Sequence, residues 1–537
     1  YLVTQLELRD VRLVYAPPRA IGNYGDEVDN FMWPRHSGDF TVLRAYVGAD
    51  GKPADYAPGN KPYTPPAHLQ VARAGVGEGD FVMLAGYPGT TYRHRTAAEF
   101  AEQVQWRLPA AVEVMKQLQD IIERTGGVDK AAEIRYAAQL QSLKNGIKRY
   151  SGELEGLQHS DAVAARATDE AAMLAWLAAQ PDASALRPQI DAAMQVIARG
   201  SATRERDLLL GLLRSQTQLL RSALNLQQLA HERGKPDAER ESGFQVRDEA
   251  LIASTLRQVQ RRFDATVEQQ VIAALLERYQ RLPQDQHLAE FDAAFGRTPA
   301  QMRARLKDIY AATRLGAEAE RLRWFDAKPA DVATADDALL RLAGPLQEAL
   351  RRVDDQRKAR DGDLLRLRPG YMGTLIAYRQ HQGRAVYPDA NGTLRVSYGK
   401  VTPLQVRDAV HYSPVSSTTG IVEKNTGVEP FDAPRPLLDA IAKADFASYA
   451  GADGAMPVNF LSNLDTTGGN SGSPVLNARG ELVGLNFDSN WESVSASWKF
   501  DPRTKRAIHV DMRYMRWLMD KVYPAPDLLR ELGVPAQ

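Results

Sequence analysis

The stretch TTGGNSGSP at residues 466–474 sets Ser471 between two glycines, Gly469 and Gly472. A serine hydroxyl attacks a carbonyl at neutral pH only when an imidazole takes its proton and a carboxylate orients that imidazole. The oxyanion formed by the attack needs fixed donors, best provided by two backbone N–H groups converging from a tight turn. The order G-N-S-G-S-P suits this: Gly469 can take the positive φ that turns its N–H inward, Ser471 adds its own N–H, and Gly472 leaves room for a substrate backbone. Ser471 is therefore a candidate nucleophile, with Gly469 and Ser471 as a candidate oxyanion hole. The same glycines also describe a plain surface turn, and the rest of the chain has to decide between the two.

Competing chemistries have less behind them. The chain has no cysteine, which excludes disulfides, thiol nucleophiles and thiolate metal sites within it. No HExxH or clustered His/Asp/Glu ligand set occurs, so neither a metal site nor a cofactor is expected. Lys plus Arg equals Asp plus Glu at 67 each with no basic stripe, so a nucleic-acid partner is not suggested. No apolar run approaches the ~20 residues needed to cross a bilayer.

The segment that would hold Ser471 in place comes directly after it. PVLNARGELVGLNF reads as a β-hairpin with Ala478–Gly480 at its turn, which would hold the serine loop rigidly at a barrel mouth. With 537 residues the chain exceeds a single core of about 250–300 residues, so two or three domains are expected. Residues 1–94 read as β, with short apolar runs at Leu6–Val14, FTVLRAYV at 40–47 and FVMLAGYPG at 81–89 between Pro/Gly-rich turns. The chain starts at Tyr1 with a strand-like YLVTQLELRDVRLVYAPP and is expected to begin inside a fold. Residues 95–385 are helical in texture. Leu209, Leu213, Leu220 and Leu224 form one stripe, and Ile252, Leu256, Val259, Phe263 and Val267 another, each lining one helix face as packed core. Residues 386–537 return to β: GTLRVSYGKV, TTGIVEKNTG, the Ser471 hairpin and AIHVDMRYM read as strands, the last running into a short helix, MRWLMDKVY. The pattern is a large all-α domain inserted into a β architecture.

TTGGNSGSPVLNARGELVGLNFDSNWES, together with NYGDEVDNFMWPRHSGDFTVLRAYV at 23–47, resembles the signature segments of the bacterial dipeptidyl-peptidase 7/11 family. The resemblance spans the whole chain. It implies a chymotrypsin-like double β-barrel, its first barrel incomplete here, with an inserted helical cap, and a serine exopeptidase that releases dipeptides from free amino termini through an acyl-enzyme. By this match Ser471 is the nucleophile and Asp39, in HSGDF, the triad carboxylate; on its own Asp39 reads as a turn cap before a strand. The family order His, Asp, Ser requires a histidine well before Asp39, and only His36 precedes it. Three residues away on the same short segment, His36 cannot bridge to Ser471, so none of the nine histidines is assigned as the base and the chain alone is expected to be inactive. His36 is read as a structural neighbour of the Asp39 turn.

Dipeptide release needs a group that captures the free ammonium at a fixed distance from the serine, and a buried carboxylate does so. The resemblance gives this role to Asp488, seventeen residues after Ser471, with Asn30 and, from the helical insert, Asn145. Phe31 stands where relatives often have Trp, keeping a wall but losing an indole donor. Position 489 sets the preference for the second substrate residue, with arginine in the acid-selective branch and glycine in the branch preferring apolar residues. Ser489 is small and neutral, so apolar or aromatic residues are expected there. The resemblance further implies oligopeptide substrates, a homodimer and a periplasmic or cell-surface location. A catalytically inactive peptide-binding relative and an endopeptidase with the same triad are the alternatives.

Overall fold

The computed structural model describes residues 5–159 and 161–534 and divides into two units. One comprises Tyr1–Arg95, Gly152–Ala162 and Tyr387–Gln537; the other comprises Thr96–Ser151 and Val163–Val386.

The first unit is built on strands. β1 (Asp10–Tyr15), β2 (Val42–Val47) and β3 (Lys61–Pro62) form a three-stranded antiparallel sheet; residues 1–4 of the first apolar run lie outside the described residues. β4 (Phe81–Gly86) and β5 (Arg395–Lys400) pair with each other, and β6 (Leu404–Arg407) with β7 (Val410–Tyr412). β8 (Val415–Ser417), β9 (Pro457–Ser462), β10 (Pro474–Leu476), β11 (Leu482–Ser489) and β12 (Ala507–Asp511) complete a seven-stranded sheet in the order β5-β4-β10-β11-β12-β9-β8. This sheet curls. Just past β5, Val401 bridges to Ser462 at the end of β9, and Thr402 N–H donates to Leu461 O. A pair of closed barrels is not found among the described residues, which hold one curled seven-stranded sheet, one three-stranded sheet and the two-stranded pair β6–β7.

β4 explains part of that difference. The sequence groups it with the early strands, but Val475 pairs with Leu84 and Tyr398 with Met83, placing it between β10 and β5. Val82 and Leu84 are fully buried and pack with Val401, Phe460, Val475 and Val483. Alternating apolar residues fix which face of a strand is buried, and leave its partner open. TTGIVEKNTG is a second correction: Thr418–Lys424 is a helix that buries Thr418, Gly420 and Ile421. So short an apolar run does not separate the two periods. AIHVDMRYM is strand only to Asp511, whose carboxylate accepts the Arg513 N–H and starts the helix Met512–Trp517.

The second unit is helical among its described residues. Leu209, Leu213, Leu220 and Leu224 are all buried in one core with Leu256, Val259 and Val267. Each predicted stripe spans two helices rather than one: Arg204–Gln216 is followed by Leu219–Arg233, and Glu249–Arg262 by Ala265–Tyr279. Asp264 caps the last of these by accepting the Thr266 and Val267 N–H groups. The buried carboxylate of Glu268 accepts the N–H groups of Gln218, Leu219 and Leu220, the open end of Leu219–Arg233. No described helix is long and apolar enough to cross a membrane.

Candidate active site

The serine turn is held from both sides. Asn470 is buried, and its side-chain oxygen accepts the Thr467 N–H at 3.0 Å. Gly472 N–H donates to Asn486 O at 2.7 Å, and Asn486 N–H to Ser473 O at 3.0 Å, tying the turn to β11. Gly469 has φ +104°, and a Cβ there would lie 2.6 Å from Tyr87 O and from Gly89 N, so the position demands glycine on two counts. The hairpin beyond is as the sequence predicts, with Asn477 Oδ1 accepting the N–H groups of Arg479 and Glu481 across the turn. Ser471 is exposed, and its hydroxyl donates weakly to Phe487 O at 3.4 Å. The N–H groups of Gly469 and Ser471 donate to no group among the described residues. Two free donors beside an exposed hydroxyl are what an oxyanion on the attacked carbonyl requires.

β11 carries a bulge at Phe487: Asn486 faces His509, while Asp488 faces Ile508. An extra residue there turns the strand and re-aims the side chains beyond it. Directly after the bulge, the Asp488 side chain is 7% exposed and lies within a network. Its Oδ2 accepts from Phe31 N–H at 3.0 Å and from Arg35 Nη1 at 2.5 Å, and its Oδ1 accepts from Ser489 N–H at 2.7 Å. Phe31 sits at φ +59°, a strained setting for an aromatic residue that aims this N–H at Asp488. Asn30, half-buried beside it, donates to Glu27 Oε2 at 3.1 Å. Arg35 is a residue the sequence reading missed. It also donates to Asp29 O at 2.8 Å and lies over the Phe487 ring. The only sequence signal was its place in WPRHSGDF.

Asp39 is exposed and its carboxylate accepts no hydrogen bond among the described residues. Neighbouring protein holds its carboxyl above the ordinary range, mainly by excluding water; Arg35 opposes the rise and Asp488 adds to it. No histidine hydrogen-bonds to Asp39 or Ser471 among the described residues. His36 is buried against Gly420, with burial the main force pushing its pKa down to about 3, helped by Lys424 and Arg35. His509, fully buried with Nε2 2.6 Å from Ser462 Oγ, is likewise pushed to about 3 by burial and then by Lys505.

Both histidines are therefore neutral when folded. Below about pH 6.5 the unfolded chain binds one more proton at each than the folded chain, so stability falls with pH. The expected loss at pH 5 is about 2 kcal/mol per histidine. Thermal unfolding at pH 7 and pH 5 measures it, and His36→Gln/His509→Gln should remove that part of the slope. An unchanged slope would show that the two rings are not held neutral.

Ser489 is not in an uncharged setting. Its Oγ accepts from Lys505 Nζ at 2.6 Å, and Lys505 is 1% exposed. The sequence reading took Ser489 by its own small, neutral side chain, whereas a cation reaches it from the chain entering β12, sixteen residues on. Asn145 lies exposed on the helix Lys130–Gln158, in the part of it that belongs to the helical unit. Among the described residues no cluster of His, Asp and Glu could hold a metal ion.

Residues 1–534 match the family model described as Peptidase S46. An Asp/Glu-specific dipeptidyl-peptidase of Shewanella putrefaciens is 41% identical over 99% of this chain and 76% of its own length. Dipeptidyl-peptidase 7 of Porphyromonas gingivalis is 29% identical, over 99% of this chain and 74% of its own. Among solved structures, Porphyromonas endodontalis DPP11 in complex with the dipeptide Arg-Glu aligns with a TM-score of 0.79 at 31% identity, over 99% of this chain and 75% of that one.

Proposed function

This chain belongs to the peptidase S46 family, and we propose that it is a serine-type dipeptidyl-peptidase that releases dipeptides from free amino termini. Ser471 attacks the carbonyl of the second residue, the amine of the third residue leaves, and the N–H groups of Gly469 and Ser471 receive the oxyanion. Asp39 orients the imidazole that takes the serine proton and stabilises the imidazolium. We assign none of the nine histidines of this chain to that role. Asp488, with Asn30 and Phe31, receives the substrate ammonium.

One observation carries this reading: Asp488 directly follows the residue whose carbonyl accepts the Ser471 hydroxyl, and it keeps acceptor capacity in reserve. A carboxylate offers about four lone-pair sites, and Phe31, Arg35 and Ser489 occupy three. The fourth, on Oδ1, is open to an ammonium. For the second substrate residue the reading favours aspartate or glutamate over an apolar side chain. The 41% identical relative is described as Asp/Glu-specific, and the aligned DPP11 holds a dipeptide ending in Glu. The proposal extends to a chymotrypsin-like pair of barrels, a homodimer and a periplasmic or cell-surface location, all drawn from the family resemblance. A second reading, a peptide-binding relative without turnover, is favoured by the lack of any described histidine bonded to Ser471.

Applied to protein that carries the catalytic imidazole, a serine-directed phosphonate and a pair of reporter peptides, one with a free amine and one acetylated, separate these. The enzyme reading expects the adduct at Ser471 and at least a 100-fold preference for the free amine, about 2.7 kcal/mol. Equal rates on both reporters would indicate an endopeptidase. Tight binding with no adduct would indicate the binder.

A further inference from the structure

Lys505 is buried just before β12, and its ammonium has one hydrogen-bond acceptor, Ser489 Oγ. An ammonium has three donors, and a buried one normally faces a carboxylate because the loss of hydration is otherwise uncompensated. Among the described residues Lys505 forms no ion pair. The carboxylates that influence it are already paired: Asp465 accepts two bonds from Arg93, at 2.6 and 2.8 Å, and Asp488 is held by Arg35. Asp465 with Arg93 and Asp488 with Arg35 cancel, and the neighbouring His509 is neutral. Lys505 is left as a surplus positive charge. Ser489 extends it outward: the hydroxyl oxygen accepts from the ammonium, while its own hydrogen donates to no described group.

We propose that Lys505, acting with Ser489, holds the carboxylate side chain of the substrate's second residue and so sets the acidic preference. The inference rests on the dipeptidyl-peptidase reading above and names the residue behind its substrate class. An arginine at 489 is not required, because the charge arrives from the chain just before β12. Burial pulls the Lys505 ammonium down to about 8, against the attraction of Asp465 and Asp488 and with the repulsion of Arg93. The preference should therefore decline as pH is raised through about 8, where a solvated lysine would hold its charge to about 10.

The test uses equilibrium binding to the 537-residue chain, which needs no turnover. Arg-Asp and Arg-Asn differ by one side-chain charge at nearly constant shape. The chain should bind Arg-Asp about 10- to 100-fold more tightly at pH 6.5, the range of one charge-assisted hydrogen bond. Lys505→Met should bring the ratio close to one, and Lys505→Arg should retain it. Should Lys505→Met fail to fold, Ser489→Ala removes only the relay hydroxyl and is expected to shrink the ratio several-fold. A ratio near one in the unaltered chain, or one that survives both substitutions, overturns the assignment. Acetyl-Arg-Asp checks the underlying reading separately: if blocking the amine leaves affinity unchanged, amine capture fails, and the proposal with it, whatever the Asp/Asn ratio.

Discussion

Replacing Asp488 by asparagine is expected to weaken binding of a free-amine dipeptide by about 100- to 1000-fold while barely changing binding of its acetylated form. Removing one partner of a buried, hydrogen-bonded charge pair costs about 2–5 kcal/mol, much of it from the charge left behind. In the proposed reading Asp488 is that partner twice over, for the substrate ammonium and for Arg35, whose own side chain is 7% exposed. The substitution keeps size and shape but strands the Arg35 guanidinium. Arg35→Met and the double variant separate the two effects. If Asp488 acts on the ligand, the double variant recovers folding stability but not affinity for the free amine. Titration with the free and acetylated dipeptides reads the outcome directly. An equal loss for both forms would mean that Asp488 supports the loop and does not touch the ligand's amine.

In protein that carries the catalytic imidazole, Gly469→Ala is expected to slow phosphonate labelling of Ser471 by about 100- to 1000-fold, the usual effect of losing one oxyanion donor. The added methyl would sit 2.6 Å from Tyr87 O and Gly89 N, both backbone atoms that cannot swing aside. The turn must rotate, and the Gly469 N–H moves with it. Gly480→Ala, at the hairpin turn, is the control. Its φ of +75° also disfavours a side chain, but a Cβ there meets nothing within 4 Å, so only the backbone penalty of about 1–2 kcal/mol applies. Labelling of Gly469→Ala at the unaltered rate would remove that N–H from the mechanism.

The serine turn and its hairpin were legible because the hydrogen bonds that close them are local, from the Asn470 clamp to the Asn477 turn, although Gly469 also packs against Tyr87 and Gly89. Local spacing also gave the helical core. It missed the breaks at residues 217–218 and 263–264 because the apolar stripe runs straight through them, and Asp264 was the overlooked capping signal. Contacts between distant segments were out of reach. Arg35 meets Asp488 across 453 residues of sequence, and nothing in either neighbourhood names the other. The setting of Ser489 was out of reach for another reason: a small neutral residue was judged by its own side chain, while the ammonium beside it comes from the chain just before β12. β4 was seen as a strand but not as a member of the later sheet, since periodicity reports a buried face and never a partner.

The bulge at Phe487 bears on how such a cleft can change over generations. Asp488 and Ser489 point where they do because one extra residue separates them from the regular part of β11. Deleting or inserting a residue here would interchange inward and outward faces, whereas exchanging one side chain for another leaves the path of the strand alone. Diversification of this rim is thus channelled into replacement at constant length, and a lineage can acquire a new taste in peptides without rebuilding the scaffold beneath it.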